Sequence, residues 1–402
     1  MVRAFRVVRC GDQGVEQMKK SLLIGIANCT LILATLLTAG CKSRAVQPIV
    51  STPAEQPIPT FTKILPTITP ETLNTDKTLG YYTGKQESYD AVLAHAPYLK
   101  IISVDVFSVQ MDGSLVGGDD FDIAAFNRNH DIQTFACVTN YNNEPDVNDF
   151  DPALAQAALV NHPQKVIAGI IDLLHTNDFT GVNIDFESLA FSEDIEEDRA
   201  AFTAFIYDLA GQLHTEGYRL IISVPGKTDD DPENTWSYPF DLAALGQDAD
   251  YLQLMTYDQH GPWGEPGPVA GADWVEDCLV YTTSLVDPAK LLIGLPSYGY
   301  NWNLSASDPQ NKTYSAESFY WIDIPVLLEK PGAELHWDEN SQSPWLAYKQ
   351  EGHEHVAWFE NPDSIRIKTA LVSKYHLAGL SMWSLGQEDE SFWQAVVDGL
   401  DL

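Results

Sequence analysis

The sequence predicts an α/β protein, and within that class a (β/α)8 TIM barrel with a small α+β insertion between the seventh and eighth strands. Short apolar runs alternate with helix-like stretches from Leu79 onward, which is the pattern of a parallel sheet covered by helices. Eight such units fill roughly 320 residues, enough for a barrel of about 250 residues with additions. Several strand ends also carry polar residues, as expected where such barrels place their chemistry. An open, doubly wound sheet is the alternative fold.

The predicted strands are short apolar runs bounded by polar or turn residues. They cover residues 79–83, 100–107, 132–139, 181–187, 219–225, 251–257, 291–297 and 377–383. Helical patterns between them include residues 88–95, 152–176, 193–216 and 274–285.

The connection over residues 301–376 is far longer than a barrel needs, so we expect an inserted subdomain at about residues 303–365. Its alternating runs, 344–349 and 355–359, favour strands. Its aromatic side chains either stack on a ligand or form a small core: Trp321, Trp337, Trp345 and Trp358.

The amino terminus has the pattern of an export signal. Lys19 and Lys20 precede an apolar run, residues 21–37, that ends in Leu-Thr-Ala-Gly-Cys41. The run is long enough for a membrane span to be the alternative. Because the ending resembles a bacterial lipobox, despite Thr38 in place of leucine, we predict a signal peptide at 1–40, with the true start at Met18. Cys41 would then be lipidated, and the protein would lie outside the cytoplasm, anchored to the cell membrane only through this lipid.

A proline- and threonine-rich stretch, residues 41–75, has no hydrophobic period and predicts an extended tether. The barrel domain is expected to cover residues 76–402. The chain carries 57 acidic against 23 basic residues, a formal charge of −34, which argues against nucleic acid and anionic membrane surfaces as partners of the folded domain. We expect a monomer.

Of five cysteines, only Cys137 and Cys278 remain after the signal is removed and Cys41 is lipidated. Both stand in apolar segments, as small core residues do, so no disulfide framework, metal site or cofactor is predicted.

The stretch 178–187 is the centre of the functional prediction. Asn183, Asp185 and Glu187 are spaced by two within an apolar run, so they share one face of a strand, with the two acids about 6–7 Å apart along it. The alternative is an ordinary strand whose acids meet basic partners. Carboxylates are rarely buried unpaired, and bases are scarce in this chain, so an active-site role is favoured.

This segment resembles the D-G-x-D-x-D-x-E signature of family 18 glycoside hydrolases, the chitinase-like group. Gly181, Asp185 and Glu187 match it, whereas Thr180 and Asn183 depart from it. The variant is most similar to the branch of spore-cortex and other peptidoglycan N-acetylglucosaminidases. The resemblance covers about residues 79–393.

Three further strands carry the same resemblance. Residues 252–258 are similar to the family's M-x-Y-D strand, 294–300 to its G-x-P-x-Y-G segment, and 379–383 to the terminal strand whose tryptophan floors a sugar subsite. Core packing is the alternative reading of each aromatic residue. The resemblance and the alternation of side chains give these candidate substrate-binding residues: Asn183, Trp383, Tyr82, Gln253, Met255, Asp258 and Tyr298.

The resemblance implies retaining, substrate-assisted hydrolysis of N-acetylglucosamine polysaccharides, either peptidoglycan or chitin. Glu187 would protonate the glycosidic oxygen, and the neighbouring carboxylate would raise its pKa. Asp185 and Tyr257 would hold the attacking 2-acetamido group. We also expect the Asn183 amide to donate a hydrogen bond to Asp185. The alternatives are a non-catalytic carbohydrate-binding lipoprotein and an inert barrel used for adhesion.

Overall fold

The computed structural model describes residues 78–311 and 313–401. The predicted signal peptide, the lipidated Cys41 and the tether lie outside these residues. Within the described part of the chain, no helix is both long and apolar enough to cross a membrane.

Eight parallel strands form a closed barrel, and each pairs with the next strand around it. They are β1 (Thr78–Tyr82), β2 (Ile101–Val109), β4 (Gln133–Thr139), β7 (Gly181–Asp185), β8 (Arg219–Pro225), β9 (Tyr251–Met255), β10 (Leu291–Pro296) and β16 (Gly379–Trp383). β1 also pairs with β16, which closes the sheet. The predicted (β/α)8 barrel is therefore confirmed, since an open doubly wound sheet would leave two edges unpaired.

Helices surround the barrel. They are α1 (Gln86–His95), α2 (Ile123–Arg128), α3 (Pro152–Gln156), α4 (Pro163–Asn177), α5 (Ile195–Glu216), α6 (Leu242–Asp248), α7 (Ala272–Thr283), α9 (Pro362–Tyr375) and α10 (Glu390–Leu400). Strand β3 (Leu115–Gly117) pairs with β2, and β5 (Tyr141–Asn142) pairs with β6 (Asp149–Phe150).

The single helix predicted over residues 152–176 is wrong, because it is two helices. A five-residue π-helical turn, Ala157–Asn161, follows α3, and α4 restarts at Pro163. Proline has no N–H to continue a helix but suits the first turn of a new one.

The outer face of β7 illustrates how the helices cover the sheet. Val182, Ile184 and Phe186 are fully buried there, and the Phe186 ring stacks on Phe205 of α5 with centroids 6.0 Å apart. Burying such a side chain contributes about 1.5–3 kcal/mol. α5 begins where the Asp194 carboxylate accepts hydrogen bonds from two main-chain N–H groups of its first turn.

The insertion between the seventh and eighth barrel strands is a five-stranded antiparallel sheet with a short α-helix, α8 (Ile324–Leu328), packed on it. Its strands are β11 (Tyr298–Asn303), β12 (Ala316–Tyr320), β13 (Glu334–Asp338), β14 (Ser343–Gln350) and β15 (His353–Trp358). One sheet face carries a small core that includes Leu346, Ala357 and Phe359, with α8 residues packed on it. β11 follows β10 after a single residue, so the insertion continues directly from the barrel.

Candidate active site

The carboxyl ends of the barrel strands open into a cleft of about 490 Å³. The insertion forms one wall of it, because Tyr298 and Tyr300 of β11 and Tyr320 of β12 line this space. Seven of the ten candidate residues lie in the lining: Asp185, Glu187, Met255, Tyr257, Asp258, Tyr298 and Trp383. Asp185 is only 5% exposed and Glu187 2% exposed, so the two carboxyl groups meet the cleft from nearly water-free positions.

Asn140 fixes the main chain at Glu187. β7 ends at Asp185, two residues earlier. Asn140 Oδ1 accepts a hydrogen bond from the Glu187 N–H at 2.8 Å, and Asn140 Nδ2 donates to the Glu187 carbonyl at 2.8 Å and to the Asp151 carbonyl at 3.0 Å. This buried amide continues the hydrogen-bonding pattern past the end of the strand and thereby limits where the Glu187 carboxyl can lie.

Tyr257 follows β9, and its position depends on the neighbouring strand. The Thr256 hydroxyl donates to the Gly294 carbonyl at 2.8 Å and accepts from the Gly294 N–H at 3.0 Å. A Cβ atom on Gly294 would lie 2.8 Å from Cε1 of Tyr257 and 2.4 Å from the Leu254 carbonyl oxygen. Glycine is therefore required here, because any side chain would push the tyrosine ring out of its position.

Asp258 accepts hydrogen bonds from two tyrosines of the insertion wall. The donors are the hydroxyl of Tyr298, at 2.6 Å, and that of Tyr300, at 2.8 Å. Burial raises the pKa of Tyr298 well above its usual range, and the nearby Asp258 carboxylate raises it further. Tyr298 thus remains a protonated donor, and the pair ties the wall to the sixth barrel strand.

Three candidates lie away from the cleft surface. Asn183 and Gln253 are fully buried inside the barrel beneath it. Tyr82 is also buried, and its hydroxyl donates to Asp119 at 2.7 Å. The adjacent Tyr81 is the residue of β1 that packs within the barrel core, since neighbouring side chains on a strand point to opposite faces. None of the three is among the residues that line the cleft, although all three were predicted to bind the substrate.

The expected hydrogen bond from Asn183 to Asp185 is absent. Asn183 Nδ2 instead donates to Tyr81 Oη and Ser103 Oγ, each at 3.0 Å. Both amide hydrogens are used by these neighbours, so this amide is not available to Asp185.

The acceptors of Asn183 belong to a polar layer that crosses the barrel interior below the cleft. Tyr81 Oη lies 2.8 Å from Ser223 Oγ and donates to Gln253 Oε1 at 3.0 Å, and Gln253 Nε2 donates to Ser381 at 2.9 Å. Burial, and then the charge of Asp185, raise the pKa of Tyr81. Such interiors are usually filled by branched apolar side chains. Here a hydrogen-bonded layer supports the acidic end of the barrel.

Aromatic residues divide between cleft and core. Trp383 is partly exposed, lines the cleft, and contacts Tyr81 edge to face at 5.1 Å. Trp321 is buried and donates to Asp389 at 3.0 Å. Of the four insertion tryptophans singled out from the sequence, none lines the cleft. Tyrosines of β11 and β12 do so instead, together with Trp263 from the loop after β9.

Two lining or supporting residues were missed in the sequence. Asp105 of β2 lines the cleft beside a β-bulge. Burial raises the pKa of Cys137, and the charges of Asp105 and Asp185 raise it further. Ser103 and Asp105 repeat the spacing of Asn183 and Asp185, which was the available signal. Asn140 directly follows a predicted strand, but nothing in its pattern indicates its two bonds to a segment 47 residues away.

A barrel with a pair of buried carboxyl groups, a tyrosine and a tryptophan at its open end has the side chains that a glycosidase needs, an acid and a ring for a sugar to pack on. In the described residues, no group of three His, Cys, Asp or Glu side chains is placed to hold a metal ion. The chain belongs to the glycosyl hydrolases family 18, whose sequence profile matches residues 77–388. It is accordingly a glycosidase.

Related proteins share most of its length. The structure of a chitinase from Chromobacterium violaceum ATCC 12472 is 34% identical, with a TM-score of 0.74 over 81% of this chain and 99% of that one. The uncharacterized glycosylase YvbX of Bacillus subtilis (strain 168) is 34% identical over 80% of this chain and 91% of its own. The cortical fragment-lytic enzyme of the same organism is 24% identical over 75% of this chain and 68% of its own.

Proposed function

We propose that the protein hydrolyses β-linked N-acetylglucosamine glycans with retention of configuration, by substrate-assisted catalysis. The observation that carries the proposal is the placing of Asp185 and Glu187, both nearly water-free, in one cleft with Tyr257. The related chitinase and cortical fragment-lytic enzyme support chitin oligosaccharides or peptidoglycan as the source of such a glycan.

In this mechanism Glu187 donates its proton to the glycosidic oxygen as the bond to the leaving sugar breaks. The oxygen of the substrate's own 2-acetamido group attacks the anomeric carbon, which closes an oxazolinium ring. Asp185 balances the positive charge that grows on the acetamide nitrogen, and the Tyr257 hydroxyl donates to the acetamide oxygen and orients it. Both interactions favour the transition state over the ground state. Water then opens the ring, and Glu187 accepts its proton.

The supporting groups follow from the same geometry. Asn140 sets the position of the acid, Gly294 leaves space for the tyrosine, and Trp383 offers a ring face to the C–H surface of a sugar. We further propose that Asn183 and Gln253 act from the polar layer beneath the cleft, without touching the glycan.

The test is Glu187→Gln, which keeps the shape of the side chain but has no acidic proton. We expect turnover of chitin oligosaccharides to fall at least about 10³-fold, with their binding nearly unchanged. Activity within tenfold of wild type would remove Glu187 from the role of acid. Product mass analysis on chitin oligosaccharides and on purified peptidoglycan identifies the glycan.

The proposed location rests on the sequence of the amino terminus, which lies outside the described residues. Lipid on Cys41 would hold the enzyme on the outer side of the cell membrane as a tethered monomer. Cys41→Ser should leave it unprocessed or released, and the absence of fatty-acid label on the wild type would refute lipidation.

A further inference from the structure

The cleft has a strongly one-sided charge. Six carboxyl groups line it: Glu87, Asp105, Asp120, Asp185, Glu187 and Asp258. Among the residues that the structure describes, Lys85 is the single basic residue of the lining, and no arginine or histidine joins it. Even with the Lys85 ammonium 4.0 Å from the Glu87 carboxylate, and with Glu187 protonated as the proposed mechanism requires, negative charge exceeds positive charge in the lining.

The rest of the lining suits an uncharged sugar. Trp263 is 44% exposed and Trp383 partly so, and both lie on the cleft, where ring faces pack against the C–H faces of a pyranose. The amides of Asn143 and Gln387 supply neutral donors and acceptors for hydroxyl groups. A carboxylate on the glycan would instead need a guanidinium, an ammonium or a cluster of free N–H donors.

We propose that this cleft selects glycan chains without carboxylates, so that it prefers uncharged N-acetylglucosamine chains to chains in which alternate sugars carry a lactyl carboxylate. The inference rests on the proposed function and narrows its substrate. Like charges across a partly desolvated cleft repel strongly, and specificity between similar ligands often comes from such repulsion. The formal charge of −34 on the whole chain adds a long-range field of the same sign.

The experiment compares three hexasaccharides on the full-length enzyme. One is the N-acetylglucosamine hexamer, the second alternates N-acetylglucosamine with N-acetylmuramic acid, and the third is the second with its lactyl groups methyl-esterified. We expect kcat/KM for the free acid to be at least about tenfold below that for the ester at low ionic strength, and the gap to narrow as salt shortens the screening length to a few ångströms. The ester should approach the neutral hexamer.

A variant pair locates the effect in the cleft. Asp120→Asn removes one lining charge and should reduce the ratio between ester and acid by about threefold. Asp172→Asn makes the same change in net charge on the exposed side of α4, outside the lining, and should leave the ratio as it is. A ratio that shifted equally in both variants would assign the effect to net charge and refute a role for the cleft.

Other outcomes are equally decisive. Equal cleavage of acid and ester at low salt, or preference for the acid, overturns the inference and leaves the proposed glycosidase function intact. Poor cleavage of both lactyl substrates would show selection by size and also overturn it. If no hexamer is cleaved, the proposed function fails, and dissociation constants of acid and ester on Glu187→Gln still decide the question of charge.

Discussion

Asn140→Ala should lower both the free energy of unfolding and kcat, because Asn140 stabilises the fold and also holds the main chain of the catalytic acid in place. The substitution deletes three hydrogen bonds, at 2.8, 2.8 and 3.0 Å, and leaves the N–H and carbonyl of Glu187 and the carbonyl of Asp151 without this partner in a buried region. Each such buried group costs about 1–3 kcal/mol, and relaxation or entering water recovers part of this. We expect a loss of about 2–5 kcal/mol in the free energy of unfolding.

The expected fall in kcat comes from a displacement of Glu187, not from the lower stability of the fold. Without the amide, the main chain two residues beyond the end of β7 can shift by about 1 Å, a displacement that lowers rates by about 10²-fold. KM should change little, because Asn140 does not line the cleft. Asn140→Asp keeps the acceptor for the Glu187 N–H but loses both donors, so its kcat should lie between those of wild type and Asn140→Ala.

Asn127 provides the matched control. It is also fully buried, and its Nδ2 donates to Thr134 at 2.9 Å, but it lies on α2 and outside the cleft lining. Steady-state kinetics on a chitin oligosaccharide and urea unfolding would be measured for both alanine variants. Asn127→Ala should lose stability while keeping kcat. If Asn140→Ala did the same, with kcat within threefold of wild type, Asn140 would be a purely structural residue.

Three further predictions use other parts of the molecule. Gly294→Ala should lower kcat by about 10²-fold by displacing the substrate-facing tyrosine, whereas Gly211→Ala, with open space around it in α5, should raise Tm slightly; equal kinetics would refute the steric argument. Lys368→Met leaves Glu360 as an uncompensated buried carboxylate and should lower the free energy of unfolding by about 3–5 kcal/mol. Adding Glu360→Gln should recover part of this loss. If the losses of the two single variants simply added in the double variant, the two side chains would not be an interacting pair. Burial raises the pKa of Asp230, but hydrogen bonds from two basic side chains outweigh it and lower the pKa overall. Its contribution to stability is therefore present above about pH 4 and lost as pH falls through the folded-state pKa. By urea unfolding, Asp230→Asn should be less stable than wild type at pH 6, and the difference should shrink progressively as the pH falls below about 4.

The barrel strands were predictable because each is a short, mainly apolar run, and the polar residues within them, such as Asn183 and Asp185, keep the alternation expected of a strand. The helix break at Pro163 could also have been predicted from the proline. The antiparallel pairing within the insertion could not, because its strands have one partly solvated face and their partners are set by long-range contacts.

For the cleft, the alternation of side chains placed Asp185 on the face of Glu187, and the family resemblance identified Tyr257 and Trp383; all three line the cleft. The alternation of side chains does not tell how deep a residue lies in the barrel, or which residues of another segment it contacts. Asn183 shares a face with Asp185 but lies one layer lower, where the hydroxyl of Tyr81 takes its amide hydrogen. The prediction chose Tyr82 on β1, but the neighbouring Tyr81 is the residue that points into the barrel, because adjacent side chains on a strand face opposite ways.

The pairing that closes the barrel joins its first strand to its last, and this affects how the enzyme is made. β1 contacts β16, about 300 residues later in the chain, so during synthesis one edge of the first strand has no partner until residues 379–383 have been made. Tyr81 and Trp383 lie on these two strands, and their rings are in edge-to-face contact with centroids 5.1 Å apart, directly beneath the cleft that Trp383 lines. A chain that lacks residues 379–383 would therefore leave β1 and β10 each with an unpaired edge, and such edges promote aggregation.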